Sequence, residues 1–346
     1  MSKIRLNVRL TKKLKSMLRL FIIVATTFLG LLLVTFLIGR VVPIDPVLAV
    51  VGDKASAEVY ERARQELGLH LPIYQQFWIY IVKILKGDFG KSVLTANLVL
   101  DDIIRVFPAT FELAIVATFI GVITGIPLGV ISAVKRGSWI DQVTRVGGLF
   151  GYSLPIFWLG LMGLMFFYAK LGILPGPGRI DVFYEGIIEP VTGVILVDSL
   201  LAGEVDIFYN ALYHIILPAL LLAYYSLAYI SRMTRSFMLE QLRQEYILTA
   251  RVKGVPEWKV IWKHALGNCA IPLITVVALS FANLLEGSVL TETVFSWPGL
   301  GLYLTRSLLN ADMNAVLGAT LVVGTIFLTF NLFSDFLYRV FDPRAR

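Results

Sequence analysis

Glu286 sets a carboxyl into an otherwise apolar run, with Leu284 and Leu285 just before it and Asn283 one helical turn back. An ionised carboxylate deep in a bilayer costs about 2.5–3.5 kcal/mol on insertion scales, so such a residue must face protein or a water-filled route. Two roles fit: polar lining of a solute path, or a protonated or paired acid near the outer third of its helix. Glu292, six residues on, is the other acid that could handle a proton or a solute there. Glu112 and Asp335 stand nearer the ends of their apolar runs, where a carboxylate can reach interfacial water. His70, His214 and His264 are scattered and read as ordinary polar residues rather than metal ligands. The single Cys269 excludes an intramolecular disulfide and argues against a cysteine metal site. No nucleophile lies near a base, and Gly-x4-Gly-Lys-Ser/Thr, His-Glu-x-x-His and Gly-x-Ser-x-Gly do not occur. No catalytic residue, metal or cofactor site is therefore assigned to this chain, and it cradles no ATP in a P-loop.

The elements that must position these groups are set by hydropathy. Of 346 residues, 57% are hydrophobic and only 16% charged, against about 25% charged in a soluble domain. A bilayer core ~30 Å thick needs roughly 20 apolar residues to cross. Six windows qualify: 17–39, 109–134, 143–168, 211–230, 271–291 and 313–338. The first is too long for a signal-peptide core and is read as an anchor. The expected fold is an all-α integral membrane protein of about six transmembrane helices.

Charge sets the orientation. Lys3, Arg5, Arg9, Lys12, Lys13 and Lys15 crowd the 1–16 segment without an acid. Lys135 and Arg136 follow the second window. Segment 231–270 carries Arg232, Arg235, Arg243, Arg251, Lys253, Lys259 and Lys263, and 339–346 is again basic. Segment 169–210 sets Arg179 against Asp181, Glu185, Glu189, Asp198, Glu204 and Asp206, and 40–108 is mixed. Positive charge stays cytoplasmic during insertion. Both termini are thus expected in the cytoplasm, with 40–108 and 169–210 as long outer loops. The net charge of +7 needs no nucleic acid to explain it. The acids of 169–210 read as a solvated surface, with recognition of a peptide ammonium as the alternative.

Gly121, Gly125 and Gly129 recur at four-residue spacing around Pro127, a small-residue face that lets another helix approach closely. In 40–108, Glu58 to Leu67 and Tyr74 to Ile84 read as amphipathic helices, and Gly87–Gly90 as a turn.

Segment 231–270 is the unusual one: charged, basic, and set among lipid-grade sequence. Glu245 to Val252 reads as a helix that Gly254 ends. Pro256 suits the first turn of a second helix, whose stripe is Val260, Ile261, Ala265 and Leu266. That second helix is expected to stop before Pro272 and to lie across the cytoplasmic mouth of the bundle. It fits either an anionic lipid surface or a partner's groove.

Here a resemblance adds to the reading. Thr249-Ala-Arg-Val-Lys-Gly254, followed by Pro272, resembles the EAA loop of importer-type ABC permeases, with Ala250 and Gly254 matching its Ala-x3-Gly core. Leu248 and Thr249 stand where the general pattern has Glu and Ala, and the gap to Pro272 is longer. Both departures resemble the dipeptide/oligopeptide/nickel branch. Phe107 to Ala114, Ala133 to Gly137, Gly151 to Trp158, Leu290 to Gly301 with its Ser-Trp-Pro-Gly-Leu-Gly run, and Asp342-Pro-Arg344 are similar to that branch as well. Val42-Pro-Ile-Asp-Pro46 departs from its usual Pro-Gly-Asp-Pro. The long first outer loop resembles the dipeptide B-type member of the paired permeases.

The resemblance implies a type I importer permease fold, with a permease domain at about 107–343. It implies a coupling site for an ATPase at Thr249, Ala250, Lys253, Gly254, Val255, Pro256, Trp258, His264 and Ala265, and a path for which Glu286, Glu292 and Asn283 are candidates. It further implies partners in a bacterial inner membrane: a second permease, two P-loop ATPase subunits that hold ATP and Mg, and a periplasmic binding protein. The other readings are a stand-alone secondary transporter using Glu286 and Glu292, and an intramembrane enzyme. The first lacks a second copy of a broken-helix pattern, and the second a nucleophile–base pair.

Overall fold

The computed structural model describes residues 2–41, 46–52, 54–66 and 68–341. The Val42–Pro46 departure falls largely on residues outside the described set, as do Asp342-Pro-Arg344 and the side chain of Asp335. Among the described residues the chain is helical, with one isolated antiparallel bridge between Lys91 and Leu98. Two compact units divide it: Met1–Asp102 with Ser307–Leu328, and Ile103–Arg306 with Thr329–Arg346.

The chain opens with α1 (Ser2–Val41), α2 (Pro46–Val51), α3 (Ala57–Glu66) and α4 (Ile73–Leu85). The two amphipathic patches read in the first outer loop are thus helices within a residue or two of their expected bounds. In the first unit α4 packs on α1: Phe36 meets Phe77 at 5.2 Å between ring centroids, and the Thr35 and Tyr80 hydroxyls are 3.0 Å apart. Gly87 and Gly90 turn the chain with φ +76° and +81°. Asp312 holds the loop after that turn, accepting from Ser92 Oγ at 2.5 Å and Leu94 N at 3.2 Å. Asp102 does the same for Thr95 and Asn97.

Next come α5 (Val99–Val134), α6 (Trp139–Ser153), α7 (Ile156–Gly163), α8 (Ile195–Ala202) and α9 (Val205–Gln241). They are followed by α10 (Glu245–Val252), α11 (Glu257–Lys259), α12 (Leu266–Gly287), α13 (Val289–Val294), α14 (Leu300–Leu309) and α15 (Met313–Phe341). Hydropathy alone misplaces several ends. α5 begins ten residues before the expected 109 and carries Pro108 inside it; Asp101 and Asp102 in its first turn suit a helix N-terminus. α9 overruns 211–230 at both ends.

The window 143–168 is not one straight helix. It breaks between Ser153 and Ile156, where Leu154 is extended (φ −90°, ψ 131°) ahead of Pro155. Proline's Cδ drives the preceding residue out of the helical region. Beyond the break α7 continues into a π-helical stretch, Leu164–Lys170, and the two arms are bent by 99°.

Five helices among the described residues are long and apolar enough to cross a membrane, and six if the bent pair counts as one span. The protein is therefore a multi-pass membrane protein. In the second unit the glycine face of α5 lies on α9: a Cβ at Gly121 would come within 2.5 Å of Ser226 Oγ, and one at Gly129 within 2.6 Å of the Ser231 carbonyl. Close contact of this kind replaces the hydrophobic drive that lipid cannot supply.

Candidate functional site

The charged loop is built on a small apolar base. Val130, Ala133, Met238, Ile247, Val260, Ala265, Cys269 and Leu273 form one buried cluster, with Ala250, Val255, Ile261 and Leu266 packed at its edge. The expected apolar stripe therefore points inward onto α5 and α9. α10 ends in a Schellman turn. Val255 N donates to Ala250 O at 3.1 Å and Gly254 N to Arg251 O at 2.9 Å, with Gly254 at φ +74°. Those two bonds satisfy carbonyls the helix end would otherwise orphan. Arg251 closes the outer side by a bidentate pair with Glu257, at 2.6 and 3.2 Å.

The second helix does not stop before Pro272. α11 runs through a π-helical turn, Val260–Ala265, straight into α12, so Glu257–Gly287 is one 31-residue rod with Pro272 inside it. The His264 carbonyl, displaced from normal α register, accepts from the Asn268 side-chain amide at 2.9 Å. A π turn absorbs one residue without breaking the rod. The separate short helix at this site is α10.

The expected coupling residues divide by exposure. Thr249, Lys253, Gly254, Pro256 and Trp258 are exposed, Ala250, Val255 and His264 are half-buried, and Ala265 is fully buried in the base. Leu248 (64% exposed), Val252 (81%) and Trp258 (62%) form an apolar crown on this otherwise basic knob. The coupling residues expected from the sequence did not include Leu248 or Val252. Their signal was apolar residues four apart on the face of α10 opposite buried Ile247.

Asn283 lines a cavity of about 350 Å³ between α7, α9 and α12, together with Tyr225, Ser226, Tyr229, Arg232 and Ser280. Gly287 also lines it, whereas Glu286 does not; Glu286 is exposed on another side of α12. Glu292 is elsewhere again. It is wholly buried, and its carboxylate accepts from Ser288 Oγ at 2.8 Å and from Gly301 N and Leu302 N at 2.7 and 3.2 Å, as well as from Thr110. Gly301 and Leu302 open α14, so Glu292 caps a helix N-terminus, where negative charge is favoured. A Cβ on Gly299 would stand 2.5 Å from Glu292 Oε2, which accounts for the glycine there. The three path candidates are therefore not one constellation.

Glu112 does not reach interfacial water. Its side chain is 2% exposed and paired with Arg179, Nη2 to Oε2 at 2.6 Å, while Leu196 N donates to Oε1 at 2.9 Å. Arg179 donates on to Gly193 O, and Asp198 takes Thr192 N and Gly193 N. Arg179 thus fastens that segment to α5, and Asp198, one of the acids read as a solvated surface, instead ties the segment to itself at Thr192 and Gly193. Arg179 lies 5.9 Å above the ring of buried Trp297, whose Nε1 donates to Ala109 O at 2.8 Å. Trp297→Phe removes that donor and leaves a gap where the larger indole stood. We expect a loss of about 2–3 kcal/mol from the lost hydrogen bond and the cavity together, lowering the unfolding midpoint in detergent by several degrees.

Comparison with known proteins places this arrangement. The family described as binding-protein-dependent transport system inner membrane component matches residues 125–346, and its N-terminal companion matches 13–114. The chain is 45% identical over 315 residues to the probable D,D-dipeptide transport system permease protein DdpB of Escherichia coli K12, covering 91% of this chain and 92% of that protein. It is 42% identical over 336 residues to the dipeptide transport system permease protein DppB of the same strain (96% and 99% covered). It is also 42% identical to the di/tripeptide transport system permease protein DppB of Pseudomonas aeruginosa UCBPP-PA14 (92% and 95%). Among solved structures, an inward-facing MetNI methionine ABC transporter has a chain with the same fold (TM-score 0.50, 18% identity, covering 69% of this chain and 95% of that one). With family models spanning both the N-terminal segment and the helices that carry the knob, the chain belongs to the inner-membrane components of binding-protein-dependent transport systems.

Proposed function

We propose that this chain forms one half of the translocation path of an ATP-driven importer for dipeptides, oligopeptides or a related small solute. The relatives named as dipeptide permeases match it over more than nine-tenths of its length, which supports that solute class. The observation that carries the mechanism is the knob: an apolar crown of Leu248, Val252 and Trp258 on a base fixed by the Schellman turn. An exposed, rigid, amphipathic projection is what a groove on a partner recognises. In this reading the grooves belong to two P-loop ATPases, which bind ATP and Mg and perform the hydrolysis. A second, related permease supplies the other half of the path, and a periplasmic binding protein delivers the solute. The chain sits in a bacterial inner membrane with both termini cytoplasmic, as the basic flanks favour.

The Asn283 cavity is the wall this half contributes, with Tyr225, Ser226, Tyr229 and Ser280 as its polar lining. Closure of the ATPases pushes the knob, and the Glu257–Gly287 rod carries the displacement to that wall. The stand-alone secondary transporter has no support from the relatives, and Glu292 is already committed to capping α14. Two measurements test the proposal. Purification of the tagged chain in mild detergent should recover a second permease and two P-loop ATPases by mass spectrometry. Uptake should fall on ATP depletion and persist with an uncoupler. Recovery of the chain alone, with uptake intact after reconstitution, would overturn it.

A further inference from the structure

A second basic feature of the second unit plays no part in the coupling knob. A cavity of about 710 Å³ opens between α6 and α9, and five arginines line it: Arg136, Arg145, Arg232, Arg235 and Arg243. Glu240 is the one acid in its wall. Arg235 is neutralised by Asp141, bidentate at 2.6 and 2.8 Å, and Arg232 lies 5.9 Å from the Tyr229 ring centroid. Among the described residues, Arg136, Arg145 and Arg243 have no ion pair. Setting Glu240 against one of these three still leaves an excess of two positive charges from Arg136, Arg145 and Arg243.

Such a cluster repels itself unless an anion enters, and its walls are held apart by fixed bonds. Asp141 also accepts from Ser132 Oγ at 2.5 Å and Gly137 N at 3.0 Å, and Tyr224 donates to Gly147 O at 2.5 Å. The cavity is therefore in place before any ligand arrives. The rest of its wall is mixed, with Leu149, Leu239 and Ala228 beside Thr144, Ser231, Ser236 and Gln244. Leu149 belongs to an exposed apolar face of α6 that includes Val143, Val146 and Phe150. Guanidinium forks match phosphate oxygens two at a time. Basic pockets between membrane helices at the cytoplasmic boundary take phosphate headgroups.

We propose that this cavity binds a phosphate-bearing anion, with its arginines on the phosphate and, where the anion is a phospholipid, the α6 face along the acyl chains. The headgroup of an anionic phospholipid and free inorganic phosphate are two sources of that chemistry, and the exposed apolar face of α6 beside the cavity favours the lipid. The inference rests on the membrane placement of α6 and α9 and not on the peptide reading, so either can fail alone.

The test uses the full chain with whatever subunits co-purify, stripped of lipid by detergent exchange. Phosphatidylglycerol and phosphatidylcholine of identical acyl chains are titrated and read by native mass spectrometry. Phosphatidylglycerol should bind about tenfold or more tighter, and Arg145→Gln with Arg243→Gln should remove most of that preference. Both arginines are exposed and without an ion pair, so the fold should tolerate the change; inorganic phosphate added to the unaltered protein is an independent measurement. Displacement of phosphatidylglycerol by millimolar phosphate means the cavity also accepts the free ion. No displacement, with the lipid preference present and arginine-dependent, means the lipid body is required. Equal binding of the two lipids with no effect of phosphate overturns the proposal. So does a cavity that responds only to short peptides, which would make it part of the solute path.

Discussion

Glu292→Ala should yield little folded protein. The carboxylate is fully buried and satisfies two hydroxyls and the N–H groups of Gly301 and Leu302 in the first turn of α14. Removing it strands those donors where water does not reach, at about 1–3 kcal/mol for each group left unsatisfied. The total, about 4 kcal/mol or more, is a large share of the roughly 5–15 kcal/mol that holds an ordinary domain together. Glu292→Gln keeps one acceptor oxygen and the volume, and should cost about 1–2 kcal/mol, chiefly the helix-terminal charge. Size-exclusion profiles after heating in detergent would rank the three proteins. The comparison also separates two roles. A capping carboxylate predicts that Glu292→Gln still transports, whereas a proton-handling carboxylate predicts a stable protein without uptake. An alanine variant as heat-resistant as the parent would show that the capping description is wrong.

The second large effect concerns motion rather than stability. Gly254 sits at φ +74°, a conformation that costs other L-residues about 1–2 kcal/mol and that proline, locked near −65°, cannot adopt. Gly254→Pro should unmake the Schellman turn and release Val255 from Ala250 O, tilting the crown away from its fixed pose. Most of the base cluster lies on α5, α9 and the Glu257–Gly287 rod, with only Ile247 from α10, so the protein should still insert and accumulate near normal levels. ATP-driven uptake should fall about tenfold or more, since coupling by a rigid projection depends on its placement. A bulky residue at half-buried Ala250 should act the same way by lifting α10 off its base. Whole-cell uptake at the parental rate, with either variant present at parental levels, would falsify the coupling assignment.

How far the sequence could be read follows from the range of each interaction. Apolar runs announce membrane helices because the signal is summed over some twenty consecutive residues. Gly254 and Pro256 announced the turn after α10 because capping is local. The break at Leu154–Pro155 was equally local, but a hydropathy window averages over a proline. The Glu112–Arg179 pair joins residues 67 apart, and the Glu292 site gathers Thr110 from a distant helix. Neither has a spacing that sequence alone could reveal, so Glu292 read as a path residue while its surroundings make it a cap. The π turn at Val260–Ala265 was hidden for another reason. The expected stop at Pro272 assumed that proline ends a helix, whereas a span buried in protein carries one through.

The continuous Glu257–Gly287 rod has a consequence for how such a protein can vary. Trp258 in the knob and Asn283 in the cavity wall stand on one helix axis, about 37 Å apart at 1.5 Å per residue. Each residue also advances the helix by ~100°. One residue inserted or deleted between them would turn the cavity wall by more than a quarter-circle relative to the knob. The length of this segment is therefore a phase setting: substitutions can accumulate along it, but a change in its count would leave the two ends pointing past their partners.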